Sequence, residues 1–79
     1  MDSQSKPKPR LARSVLTYRE VSFTVPEWLE IGQSFFLPCL KAEELGSKVQ
    51  RHYAGTTMRM VWEERIEADY LGIRVWRVL

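Results

Sequence analysis

A chain of 79 residues has room for one domain with a modest core, which argues against a large active-site cleft. Its single cysteine, Cys39, and single histidine, His52, exclude an internal disulfide and a closed zinc site, and no run of about 18 apolar residues is present to span a membrane. The formal net charge of +2 is unevenly placed: residues 1–14 carry Lys6, Lys8, Arg10 and Arg13 against Asp2, whereas residues 15–79 carry eight basic and nine acidic side chains.

Met1 to Ser14 combines Ser, Lys, Pro and Arg with almost no apolar content, too little to offset the entropy of ordering, so a disordered basic arm is expected there. Its charged, proline-bearing start lacks the apolar stretch of a signal peptide, which predicts a cytoplasmic protein. A single α+β domain is expected over residues 15–79.

From Tyr18 to Val25 the pattern alternates, with Val21, Phe23 and Val25 on one side and Glu20, Ser22 and Thr24 on the other, the signature of a half-buried strand. Pro26 ends it. Trp28 to Gly32 reads as a turn whose apolar residues cover one edge of the core, with Gly32 as the left-handed position. Gln33 to Leu37, aromatic and closed by Pro38, is too short for a buried helix and predicts a second strand.

Ala42, Leu45, Val49 and Tyr53 recur at intervals of three and four, predicting an amphipathic helix over Lys41 to Ala54 with Gly55 following its C-terminus. At 100° per residue, Lys41, Lys48, Arg51 and His52 form a cationic flank beside the apolar stripe. Thr57 to Arg65 fits both periods: as a strand it gathers Met58, Met60 and Trp62, and as a helix Met58, Val61, Trp62, Arg65, Ile66 and Tyr70. The strand is preferred, because Gly55 to Thr57 interrupts the helix and the terminal segment needs an antiparallel neighbour.

Gly72 to Leu79 predicts that terminal strand, with Ile73, Val75, Arg77 and Leu79 on one face and Arg74, Trp76 and Val78 on the other. Ile66 to Gly72 would join the last two strands as a long hairpin loop. The expected architecture is β-β-α-β-β, a small antiparallel sheet with one helix packed on one face.

Catalytic constellations are lacking. His52 has no sequence-local partner in a recognised spacing and reads as a solvated or half-buried helix residue. Cys39 reads as packing, with nothing adjacent to lower its pKa. Glu63, Glu64, Glu67 and Asp69 cluster around the proposed loop without the glycine and final glutamate of a calcium loop. Neither enzyme activity nor a cofactor or metal is expected.

The basic and aromatic residues say more. Lys48, Arg51, Arg59, Arg74, Trp76 and Arg77 form the candidate nucleic-acid set, since arginine bonds phosphate bidentately and stacks on bases while tryptophan offers a stacking surface. The competing structural reading makes Trp62 and Trp76 core residues and pairs Arg74 or Arg77 across strands with Glu63, Glu64 or Glu20. An alternative protein-binding set is Trp62, Glu63, Glu64, Glu67, Asp69 and Tyr70, aromatic anchors inside a charged rim.

Glu30-Ile-Gly-Gln-Ser-Phe-Phe-Leu-Pro38, the helix, the Thr57/Arg59 stretch and Gly72-Ile-Arg-Val-Trp-Arg77 together resemble small uncharacterised proteins of bacteriophages and prophages, in which a Gly-x-Ser-Phe-Phe-x-Pro segment precedes a helix and a Gly-x-Arg-Val-Trp-Arg strand closes the chain. The resemblance covers about residues 28–78, and the acidic stretch before Gly72 departs from it. It implies a bacterial host cell and a non-enzymatic regulator that binds DNA or RNA, or alternatively a host protein such as RNA polymerase or a defence nuclease. The expected state is a monomer or a dimer, the latter by pairing of an exposed terminal strand with its copy, and no membrane partner is expected.

Overall fold

The computed structural model describes residues 13–79. The arm expected over residues 1–14 lies outside the described residues except for Arg13 and Ser14, and these two open the first strand. The elements in order are β1 (Arg13–Tyr18), β2 (Val21–Pro26), β3 (Ser34–Pro38), α1 (Ala42–His52), β4 (Met60–Glu67) and β5 (Tyr70–Arg77). The class is α+β with one helix packed on the sheet, as expected. Among the described residues, however, the strands number five, in two antiparallel sheets of order β1-β2 and β3-β5-β4.

The additional strand arises because the predicted Tyr18 to Val25 strand is one arm of a hairpin. Arg19 and Glu20 both have positive φ, 50° and 67°, and reverse the chain in two residues. Ala68 and Asp69, at 50° and 69°, do the same between β4 and β5, so the loop expected over Ile66 to Gly72 shrinks to two residues. Neither turn contains the glycine or asparagine that normally announces this geometry. Each accepts an unfavourable left-handed backbone of about 1 kcal/mol per residue, which the flanking ladders offset. Gly32, with φ 93°, is the left-handed position that the pattern predicted.

The strand reading of the Thr57 to Arg65 segment holds, in that β4 begins at Met60 and pairs along its whole length with β5. β5 is the central strand, with β3 on its other side. Both of its edges are therefore occupied, and the terminal strand has no free edge to offer a copy of itself.

Helix α1 ends at His52, two residues before the expected boundary. Tyr53 caps it with φ −97° and ψ 2°, and the Thr56 hydroxyl donates to the Tyr53 carbonyl. Glu43 and Glu44 in its first turn and Arg51 and His52 in its last complement the helix dipole. Leu45, Gly46 and Val49 are buried, and the Trp62 ring lies directly against Gly46, where an added Cβ would meet ring atoms at 2.1 Å. Gln50 donates to the Met60 carbonyl at 3.1 Å. On the opposite flank of the helix the Ser14 hydroxyl and His52 Nε2 share a hydrogen bond of 2.9 Å, and the Tyr18 hydroxyl donates to Glu44. The helix thus bridges the two sheets.

Leu16 and Val25 of the hairpin join Leu29, Leu37, Leu45, Val49, Tyr53, Met58, Met60, Ile73 and Val75 in one core. Burying each such aliphatic side chain contributes roughly 1.5–3 kcal/mol before conformational entropy is counted. Of the Trp28 to Gly32 turn only Leu29 is buried, while Trp28 and Ile31 are exposed, so the turn covers the core with one residue instead of three.

Candidate nucleic-acid interface

The two-residue alternation of strands divides the β3-β5-β4 sheet into a helix-facing and an outward-facing side. Register pairs Phe35 with Val75 and Trp62 with Val75 on the helix side, and Phe36 with Arg74, Glu63 with Arg74, Ser34 with Trp76 and Val61 with Trp76 on the other. The outward face therefore carries Ser34 and Phe36 from β3, Arg74 and Trp76 from β5, and Val61, Glu63, Arg65 and Glu67 from β4. Arg59 extends this row, since Val78 N donates to its carbonyl at 2.8 Å and its own N donates to the Leu79 carbonyl at 2.9 Å. No described element covers the face.

Its aromatic rings are paired with arginines. The Arg65 guanidinium stands 5.6 Å from the Trp76 ring centre, and the Arg74 guanidinium stands 5.9 Å from that of Phe36. Phe36 reaches across β5 at Gly72, where a Cβ would lie 2.7 Å from its Cζ and 2.2 Å from the Leu37 carbonyl oxygen. Arg74 Nε donates to Glu67 Oε2 at 2.7 Å and Nη2 to Oε1, while Nη1 donates to the Ser34 hydroxyl at 2.9 Å. The hydrogen bonds from Arg74 hold the Glu67 carboxyl below its ordinary pKa, and the same contact raises that of Arg74. Arg65 Nε lies 3.6 Å from Glu67 Oε2. Three arginines thus face two glutamates, leaving the face with one net positive charge.

The six residues expected to bind nucleic acid do not share one surface. Arg59, Arg74 and Trp76 come together on the outward face. Lys48 and Arg51 are exposed on the flank of α1 that looks toward β1, where with Val15, Leu16, Thr17 and His52 they line a recess of about 320 Å³. Arg77 is on the helix side of the sheet and ties loops together: Nη1 donates to the Leu29 carbonyl at 2.7 Å, Nε to the Leu79 carbonyl at 2.8 Å, and the guanidinium stacks 5.5 Å from the Trp28 ring. Phe36, Val61 and Arg65 belong to the face and are absent from the expected set. Their signal was strand parity, which becomes usable only when the neighbouring strand and its register are known.

Of the alternative set, Trp62 is half-buried against Gly46 on the helix side and Glu67 is engaged by Arg74. Glu63 and Glu64 are exposed β4 residues on opposite faces, Asp69 is a turn residue, and Tyr70 is 65% exposed. The acidic stretch is therefore strand with a tight turn, not a loop, because the cross-strand ladder from Met60 to Glu67 is unbroken. The expected cross-strand partnership of Arg74 with Glu63 exists in the register, but the hydrogen bonds go to Glu67.

Cys39 is half-buried beside an apolar groove lined by Tyr18, Val21, Phe23, Pro38 and Leu40, and burial pushes its thiol pKa up, away from the reactive thiolate. Among the described residues, no helix is long and apolar enough to cross a membrane. In comparisons with known proteins, the chain matches no family model, no curated protein and no solved structure.

Proposed function

We propose that this protein is a small non-enzymatic regulator of phage type that binds nucleic acid, and that the contact surface is the outward face of its C-terminal hairpin and β3. The observation that carries the reading is the pairing of Trp76 with Arg65 and of Phe36 with Arg74 on an uncovered sheet face. Such a surface combines groups that bond phosphate with groups that stack on bases. The cationic flank of α1 supplies Lys48 and Arg51 on a separate side, suited to nonspecific attraction.

The test is binding of labelled oligonucleotides, followed by fluorescence anisotropy as salt is raised. Affinity is expected to fall linearly in log–log form with salt, and replacing Arg59 and Arg65 by alanine is expected to reduce the slope by about 1–2. Arg77→Ala, which disturbs a loop tie on the other side of the sheet, is expected to leave that slope unchanged. Absence of binding to DNA and RNA at low salt refutes the proposal.

A second reading, attachment to a host enzyme, is favoured by one feature: Ile66 and Tyr70 at the hairpin end are 73% and 65% exposed. Loss of a stoichiometric lysate partner upon Tyr70→Ala, with oligonucleotide binding absent, would favour this reading over the first.

A further inference from the structure

Resting on the nucleic-acid reading above, we infer that the outward sheet face accepts single-stranded nucleic acid, with a base stacked on Trp76, in preference to a duplex. The two rings belong to neighbouring strands at diagonal register positions, Phe36 opposite Arg74 and Trp76 opposite Ser34. The Phe36 ring reaches over Gly72, away from Trp76, and lies under Arg74, which Glu67 and Ser34 hold in place, so Trp76, whose Arg65 stands 3.6 Å from its nearest carboxylate, is the ring open to a splayed base. Phe36 is held across Gly72 by the missing side chain beneath it, which keeps it lying along the sheet instead of projecting from it.

A duplex cannot use these rings. Its base faces are already stacked, and it presents phosphates and groove edges, which reward dense positive charge. This face has a single net positive charge, from three arginines and two glutamates, and two of those arginines are occupied over aromatic rings. Its balance of stacking area to charge suits a flexible strand, whose unstacked bases gain from aromatic contact and whose phosphates meet Arg59 and Arg65 at the sheet margin. Entry of a base onto Trp76 moves the Arg65 guanidinium from the ring toward a phosphate, which exchanges a cation–π contact for an ion pair.

The experiment titrates the full chain with labelled oligothymidylate, with oligouridylate, and with the duplex of oligothymidylate and oligodeoxyadenylate, at one salt concentration. The single strands are expected to bind at least about tenfold tighter than the duplex, Trp76→Leu to weaken single-strand binding about tenfold, and Trp76→Tyr to restore most of the loss. In the unsubstituted protein the Trp76 indole Nε1–H resonance is expected to shift on addition of oligothymidylate, a readout that holds if Trp76→Leu fails to fold. Equal affinity for duplex and single strand, or an unmoved Trp76 resonance at saturation, overturns the single-strand assignment while leaving phosphate binding intact. No binding of any probe removes the underlying reading with it.

Discussion

Glu67 and Arg74 meet diagonally across the β4–β5 ladder, joined by two hydrogen bonds between the carboxylate and the guanidinium, although Glu63 is the direct cross-strand neighbour of Arg74. The pair fixes the arginine that stacks on Phe36, and so couples the hairpin end to the middle of the sheet.

Because Arg74 holds the Glu67 carboxyl below its ordinary value of 4.5, the contribution of this pair to stability is complete above that value and is lost as pH falls through the lower folded-state value. Glu67→Gln is therefore expected to be less stable than the natural chain at pH 7 and to converge with it in acid. Urea denaturation at both pH values checks this, and a gap that persists undiminished below pH 3 would exclude the pair as its cause.

Gly46 sits in mid-helix, where alanine normally gains about 1 kcal/mol. Here a Cβ would meet the Trp62 ring at 2.1 Å, and overpacking of that kind costs roughly 1–3 kcal/mol, so Gly46→Ala is expected to destabilise. In a Trp62→Leu background the obstruction is gone and the same substitution is expected to stabilise. A double-mutant cycle from thermal or urea unfolding reads the sign change.

The β4–β5 turn holds Ala68 and Asp69 in left-handed conformations that asparagine and glycine adopt more readily. Ala68→Asn combined with Asp69→Gly is expected to raise stability by about 1 kcal/mol, the relief of strain exceeding the added entropy of glycine in the unfolded chain. The gain should appear as a shifted urea midpoint with an unchanged slope. The matching change at Arg19 and Glu20 is expected to yield less, since it discards the 2.9 Å Arg19 to Glu44 ion pair.

Burial pushes the Tyr53 hydroxyl up to about 12 from an ordinary 10.0, and that hydroxyl donates to the Pro26 carbonyl. A folded-state pKa raised above the unfolded value stabilises fully below pH 10 and loses that contribution as pH rises toward 12. Tyr53→Phe is expected to cost about 1 kcal/mol at pH 7 and to show a weaker alkaline loss of stability than the natural chain. Thermal midpoints of both proteins at pH 7 and pH 11 decide it; parallel losses in the two would exclude Tyr53 as the source.

Some of this organisation was legible residue by residue. The three-and-four spacing of Ala42, Leu45, Val49 and Tyr53 specifies the helix because one side of a 3.6-residue spiral must be apolar to pack. Alternation likewise disclosed β2 and β5, and the left-handed Gly32 followed from its residue type. By contrast, β1 was hidden in a stretch whose first part is polar, and its turn was hidden by Arg19 and Glu20, which no turn preference would select. The same effect made a long loop of what is a two-residue turn at Ala68 and Asp69.

The candidate site divides along the same line. Sequence by itself determined the cations and aromatics available, the absence of a second cysteine or histidine, and the two faces of the terminal strand, because these depend on composition and on the period of a single element. Only the tertiary structure decided that Arg74 and Trp76 share an uncovered face with Phe36, Arg65 and Arg59, that Arg77 is committed to loop carbonyls, and that Lys48 and Arg51 lie elsewhere. Which side chains meet depends on strand order and register, and the placing of β5 between β3 and β4 is set by packing among residues more than thirty positions apart.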